Sequence, residues 1–406
     1  MANAKLTASI IAKAAVAILD NELVMAKKVF RGYEEDFAKK VNGYEVGSSI
    51  TIRRPTDFTV RDGAVANAQD VVEGSTTITV DKRKGIDFKF TSQELTLDIK
   101  ELSERVIRPA MIQLANQVDT DLHALYKEVP NWVGTPGQTV NSYADFAKAP
   151  ERLDEYGVPA GDRCAVLSPA DHWGLLGSQT SLYMQDVAKG AYRKGSLGMI
   201  GGVDTYMSQN VATHTTGSDF TTVTVNQSIT TSTIAYSDVR TTNQQTITIA
   251  GGTFVAGDVI TIADVNAVNP VTKADLGFSK QFTVVSYSSN SLVISPAMIW
   301  TGAQQNVAVA SGTTDLNTKA ITGVGTASTN YRQNMVFNKN AFALVSVPLV
   351  SPPGATDVGR ETYKGTSVRV IPVYDGINDH SMWRLDMLYG VKAIDPRQAV
   401  RLSGTA

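Results

Sequence analysis

Between Thr91 and Glu128 the chain reads TSQELTLDIKELSERVIRPAMIQLANQVDTDLHALYKE, and no other stretch carries so strong a helical period. Leu95, Ile99, Leu102 and Val106 form one apolar stripe at 4-3-4 spacing. Ile107, Met111, Leu114, Val118, Leu122 and Leu125 form a second at 4-3-4-4-3. Such recurrences place side chains on one face of an α-helix. Thr91 and Glu94 stand at capping-box spacing, where a hydroxyl accepts an early N–H and a carboxylate reaches back. Asp98 with Glu101 offers a second start. One continuous helix would span roughly 55 Å at about 1.5 Å per residue, whereas helices in globular domains average about 11–12 residues. Pro109 removes the amide that would bond the carbonyl of Arg105, and its ring crowds that turn. The two stripes also change phase between Val106 and Ile107. The run therefore predicts a long helix with a kink or local unwinding at Pro109; two ordinary helices of a bundle are the alternative.

At 406 residues the chain exceeds one ordinary domain, so two or three units are expected. Its single cysteine, Cys164, allows no intramolecular disulfide and fits a reducing compartment. The neighbours Ala165, Val166 and Leu167 predict a buried strand and an inert thiol. No apolar run approaches the roughly 20 residues of a membrane span, and the N-terminus lacks the order of a signal peptide, so no membrane partner is expected. A net charge of −2 gives no general attraction to nucleic acid. Contact with DNA would be local and non-specific.

Taken in order, residues 1–43 read as an arm. Ile10, Ile11, Ala14, Ala15, Ile18 and Leu19 share a helical face, followed by Lys27, Lys28 and Arg31. Residues 44–90 switch to a period of two: Ile50 and Ile52, Phe58 and Val60, Ile78 and Val80, then Ile86, Phe88 and Phe90. With turn signals at Asp62-Gly63 and Glu73-Gly74, this predicts one long two-stranded hairpin. An isolated hairpin is marginal in water, and this one would set Arg53, Arg54 and Arg61 against Lys82, Arg83 and Lys84. Like charges on paired strands repel, so acidic partners are expected nearby, from this chain or another.

The helical run occupies 91–142. Residues 143–214 alternate helix, strand and helix: a helix over 143–157, the strand CAVLSP, and a helix opening at Ser-Pro-Ala-Asp. Residues 215–329 differ in composition. They hold ten charged residues in 115, against 19% charged in the whole chain. TTVTV, QQTITI, GDVITIADV, KQFTVVSY and SLVISP recur between turn signals, the pattern of a small all-β sandwich or barrel. At 330–406 the α/β character returns, so the β region reads as an insertion.

No constellation for chemistry stands out. His123, His172, His214 and His380 make no metal-ligand pair, and one cysteine cannot supply a CxxC set. The glycine-rich run RKGSLGMIGGVDTYMSQNV lacks the phosphate-loop pattern, and neither a GxSxG elbow nor a dinucleotide GxGxxG occurs. Asp171-His172 reads as a helix start. No cofactor, metal site or enzymatic activity is expected.

The order of parts, with QLANQV in the long helix, GSLGMIGGVDTYMSQNV before the insertion, RQNMVFNKNAFALVSVPL after it and LDMLYGVKAIDPRQAVRL at the end, resembles the major capsid proteins of tailed phages. More narrowly it resembles the P22-type coat proteins. The resemblance implies an α+β chain with the HK97-like capsid fold: N-arm, E-loop hairpin, P-domain with a long spine helix, and A-domain. To this is added an inserted all-β barrel or Ig-like domain. It implies self-assembly as hexamers and pentamers of an icosahedral shell around packaged dsDNA, joined by a portal protein. The chain begins at the arm, without the long extension of some relatives, so a separate scaffolding protein is the implied assembly partner. In that family the hairpin lies across the adjacent subunit. Arg53, Arg54, Arg61, Asp62, Lys82, Arg83 and Lys84 then become candidates for subunit contact, as do Glu101, Glu104, Arg105 and Arg108 on the spine. A bend at Pro109 would be a place for curvature to differ between subunit environments. A β-rich tail or adhesion protein, or an enzyme with an unrecognised site, are the rival readings.

Overall fold

The computed structural model describes residues 8–38, 40–41, 44–45, 47–61, 63–65, 68–91, 106–179, 197–230, 234–310, 312–353 and 358–405. The chain divides into two units, and it passes between them at residues 50/51, 76/77, 123/124, 341/342 and 392/393.

The first unit (Met1–Ile50, Thr77–His123, Phe342–Lys392) is a sheet covered by helices. Its strands run in the order Phe342–Val347, His380–Ala393, Thr366–Asp375, Gly359–Tyr363, and Lys82–Thr91 also pairs with His380–Ala393. The helix Ala8–Glu22 packs on this sheet through Ala8, Ile11, Ala12, Ala15, Val16 and Leu19, all buried. The expected face also included Ile10, which is 47% exposed. Small residues decide the rotation. A Cβ on Gly359 would lie 2.2 Å from the carbonyl oxygen of Ala8, so the two backbones approach too closely for a larger side chain.

Arg108–His123 is an α-helix, preceded by π-helical turn at Val106 and Ile107 and followed by 3₁₀ turns over Ala124–Glu128. Every member of the second apolar stripe, from Ile107 to Leu125, is buried. Of the first stripe, Leu95, Ile99 and Leu102 lie outside the described residues. The carboxylate of Asp119, itself buried, accepts N–H bonds from Val24 at 2.8 Å and Ala26 at 3.0 Å, tying the arm to the helix.

The long hairpin expected over 44–90 is not what forms. Ser49–Arg53 and Ser75–Thr79 make a ladder of only five residues a side. Lys82–Thr91 leaves it and pairs with His380–Ala393, in register from Lys82↔Tyr389 to Thr91↔His380. The apolar face explains the choice. Ile86 lies opposite Leu385 and Phe88 opposite Trp383, whereas SITIR offers only Ile50 and Ile52. Alternation announces a strand and which face is apolar, but not which strand it will join.

The second unit (Thr51–Thr76, Ala124–Ala341, Ala393–Ala406) holds two large sheets among the described residues. One is six-stranded: Trp132–Val133, Ala399–Leu402, Asn334–Asn338, Arg163–Leu167, Val203–Met207, Met199–Ile200. Helix Tyr143–Glu155 starts where the Ser142 hydroxyl accepts from the Asp145 N–H at 3.1 Å, and helix Pro169–Gln179 follows Ser168. Phe146, Leu153, Leu175, Val336 and Leu402 share its core, and Cys164 is buried in a strand.

The other sheet has seven strands, in the order Thr224–Val225, Gln245–Ala250, Ser291–Ser295, Asp275–Ser288, Val259–Val268, Val307–Val309, with Ile321–Gly323 also on Val259–Val268. Each contains or overlaps the alternating segments read from the sequence, apart from the two short strands Val307–Val309 and Ile321–Gly323. Ser289 and Asn290, at φ 47° and 68°, turn the hairpin between Asp275–Ser288 and Ser291–Ser295; two successive positive φ values match the right-handed twist of the flanking strands. Ile247, Ile260, Phe282, Val284, Leu292, Met298 and Leu316 form a core separate from that of the six-stranded sheet. The short ladder of Thr213–Thr215 with Asn330–Arg332 brings the two ends of this region together.

Candidate intersubunit surfaces

The first candidate surface is the hairpin. Arg53 pairs with Glu73 at 2.9 Å on its exposed side, and Arg54 donates to the Thr76 hydroxyl. Beyond Arg54 the strands end. The loop is held by local bonds: Gln69 bonds the backbone and hydroxyl of Thr59, and Arg61 donates to the carbonyls of Gly63 and Val65. Asp62 lies outside the described residues. Four apolar side chains remain open here: Phe58 58%, Val60 98%, Val65 85% and Val71 65% exposed. Covering one such side chain gains about 1.5–3 kcal/mol. Apolar groups clustered on an exposed segment mark an interaction surface more often than singly scattered ones.

The second surface is the open face of the sheet in the first unit. There Asp386, 2% exposed, receives three guanidinium groups. Arg83 Nη2 donates at 3.0 Å, Arg369 Nη2 at 2.5 Å and Arg384 Nε at 2.9 Å. Burial pushes the Asp386 carboxyl up, but the bonds from Arg369, Arg384 and Arg83 outweigh it and hold the group below the usual carboxylate range. Gly85 stands opposite Asp386. A Cβ there would meet the Asp386 carboxylate at 2.7 Å and the Leu385 carbonyl at 2.8 Å, so glycine is what lets the carboxylate lie across the strand. On the other face Lys82 pairs with Asp121 at 3.4 Å, and the Tyr389 hydroxyl donates to the same carboxylate at 2.7 Å. Burial, and then Asp121, push the Tyr389 phenol up, so it stays a donor. Lys84 is half-buried opposite Met387.

The charges read from the sequence as facing each other across one hairpin are thus divided between two places. The acids that meet Arg53, Lys82 and Arg83 come from this chain: Glu73, Asp121 and Asp386. Sequence reasoning missed Asp386, although a lone carboxylate in the apolar strand SMWRLDMLYG is a readable signal. Arg108 and Pro109 are exposed at the start of the regular α-helix. Glu101, Glu104 and Arg105 lie outside the described residues.

A third cluster lies inside the second unit. The Arg401 side chain is fully buried and meets no carboxylate directly. It donates to the carbonyls of Val129 at 2.9 Å and Gly257 at 2.8 Å, and its guanidinium lies over the rings of Tyr126 and Trp132. Tyr126 bonds His214, and His214 bonds Asp258. Burial lowers the Arg401 pKa to about 9, which Tyr126 and Asp258 partly oppose. This network joins the end of the six-stranded sheet to the edge of the seven-stranded one and points to packing, not to solvent. Among the described residues, no group of three or more His, Cys, Asp and Glu side chains gathers to hold a metal ion, and no helix is long and apolar enough to cross a membrane.

Residues 1–404 match the family described as P22 coat protein, gene protein 5. The chain belongs to the P22 coat protein family. A major capsid protein of Acyrthosiphon pisum secondary endosymbiont phage 1 is 22% identical over 410 residues, covering 95% of this chain and 94% of the relative. Among solved structures, one from Mycobacterium phage Che8 covers 93% of this chain and 90% of its own at a TM-score of 0.50 and 14% identity. The capsid structure of Cyanophage P-SCSP1u covers 89% and 84% at 0.44 and 12%. Of these two, the Che8 likeness bears on the fold. The chain is a major capsid protein of the P22 coat family, a shell-forming structural protein, and its sheet-rich α+β architecture fits the HK97-like capsid fold.

Proposed function

We propose that this coat protein builds the icosahedral shell of a tailed phage around dsDNA. Hexamers and pentamers would assemble in the host cytoplasm on a separate scaffolding protein and meet a portal protein at one vertex. Its role is structural, not catalytic. The observation that carries the reading is the hairpin. Phe58, Val60, Val65 and Val71 stand open on a segment whose internal bonds are local, and a neighbouring subunit is the surface that such a segment fits.

In this reading residues 1–43 are the arm, 44–90 the E-loop segment, whose last strand Lys82–Thr91 joins the sheet of the first unit, 91–142 the spine of the P-domain and 143–214 the first part of the A-domain. Residues 215–329 are an inserted β-barrel, and 330–406 return to the A- and P-domains. The barrel is supported by hydrogen bonds that lead from one edge of the seven-stranded sheet to the other. Thr224 bridges Ala320, the Val225 N–H bonds the Lys319 carbonyl, and the Ile321 N–H bonds the Val223 carbonyl. Strand Ile321–Gly323 in turn lies on Val259–Val268, which completes a circuit. Closure of this kind leaves few exposed edges.

The test is expression of the coat gene with and without its neighbouring scaffolding gene, followed by electron microscopy. Closed shells of uniform size are expected with the scaffold, and irregular shells or soluble subunits without it. Fibres alone, or monomers that turn over a substrate, would overturn the reading.

A further inference from the structure

The second unit contains a cavity of about 70 Å³ between the base of the hairpin, the seven-stranded sheet and the loop at Asp395–Arg397. A water needs about 10–15 Å³ measured in this way, so the space holds several waters or one small ion. Four cations line it, Arg54, Lys273, Lys280 and Arg397, against two carboxylates, Asp57 and Asp395. Among the four cations both carboxylates pair with Arg397, and Asp395 also accepts from Gln398 Nε2 at 3.2 Å. Asp395 accepts from Arg397 Nε at 3.0 Å and Nη2 at 3.1 Å, and Asp57 lies 3.8 Å from Arg397 Nη1.

The other three cations are left over. Lys280 is only 3% exposed, and its ammonium reaches the Tyr156 hydroxyl at 3.4 Å and the face of that ring at 4.8 Å. A buried ammonium has three donors to satisfy, and one long bond to a neutral hydroxyl with a ring contact does not match a charge removed from water. Arg54 donates through Nη2 to Thr76, but its buried Nε has no partner. Lys273, half-buried, makes no ion pair among the described residues. Burial pushes both Arg54 and Lys273 below their usual ranges, against the pull of Asp395 and Asp57 respectively.

We propose that this cavity binds a small oxyanion of the phosphate class, held by Lys280, Arg54 and Lys273. The charge balance points to an anion, and the volume limits it to an inorganic ion. An uncharged ligand would leave the Lys280 ammonium as it is. A bound oxyanion gives Lys280 a charged acceptor beyond the Tyr156 hydroxyl and gives the Arg54 Nε the acceptor it lacks, and it links the base of the hairpin to the seven-stranded sheet.

The experiment uses the full-length chain as soluble subunits, titrated with sodium phosphate against sodium chloride at matched ionic strength. The thermal midpoint and the heat of binding are followed. Phosphate should raise the midpoint of the wild type saturably where chloride does not. Lys280→Met should weaken phosphate binding about tenfold or more, the scale of losing a hydrogen bond to a charged group, and Lys280→Arg should restore part of it. Lys273→Ser, at a half-buried position where folding is not at stake, should weaken binding several-fold. Equal responses to phosphate and chloride overturn the proposal, as does undiminished phosphate binding in both Lys280→Met and Lys273→Ser.

Discussion

Asp386 shows how one side chain organises a surface. It is buried, it carries a negative charge, and it neutralises part of the charge of Arg83, Arg369 and Arg384. Removing one partner of a buried ion pair costs roughly 3–5 kcal/mol, because the remaining charges stay where water cannot reach them fully. Asp386→Asn should therefore destabilise the subunit by about that amount at pH 7, measured by urea denaturation. Because its folded pKa lies below the ordinary aspartate value, the stabilisation is present above about pH 4 and is lost as pH falls through the lower folded value. The gap between wild type and mutant should then narrow in acid. A mutant as stable as the wild type at neutral pH would show that the three arginines do not depend on this carboxylate. The residue is legible in the sequence as an acid within an apolar strand. Its most distant partner is not, since Arg83 reaches it from a strand about three hundred positions earlier, while Arg369 lies opposite it on the neighbouring strand and Arg384 two residues before it.

At the level of elements, what repeats was legible and what pairs was not. The second apolar stripe, buried along Arg108–His123, and the strands of the Thr- and Val-rich segments between 221 and 295 follow from period and turn chemistry alone, because each is settled within a few residues. The partner of Lys82–Thr91 is settled by burial against residues 380–389, about three hundred positions later, and no local signal records that choice. The same holds for the arm helix, whose buried face was fixed by the close approach of Gly359. The hairpin shortened by this exchange of partners suggests a separation of roles. Its ladder over Ser49–Arg53 and Ser75–Thr79 is backbone-bonded, while among the described residues the bonds of the tip are local. Deleting residues 62–73 with a short glycine linker should leave the unfolding free energy within about 0.5 kcal/mol of wild type, as expected for exposed segments, and should abolish regular shells in electron micrographs. Loss of the folded subunit would show that the tip supports its own chain.

For the molecule as a whole, the region between Thr213 and Arg332 has its own apolar core and a ladder that joins its ends. A fragment from Thr213 to Arg332 should therefore fold alone. Its circular dichroism and fluorescence should report one coincident unfolding transition, with a stability on the order of 0.05–0.15 kcal/mol per residue. A fragment without cooperative unfolding would mean that the Arg401 network and the contacts of Gln281 with Trp132 hold the sheet in shape from outside.

Sequence order adds a consequence in time. Strand Arg163–Leu167 lies beside Asn334–Asn338, and the latter beside Ala399–Leu402, so the six-stranded sheet waits for segments synthesised much later. Closing a long flexible loop is slow and exposes unpaired strand edges meanwhile. If the region between Thr213 and Arg332 folds first, most of that loop is removed. Once Thr213–Thr215 meets Asn330–Arg332, the two halves of the later sheet begin a few residues apart. This region would then act during synthesis as a clasp, setting the order in which the rest of the subunit can form.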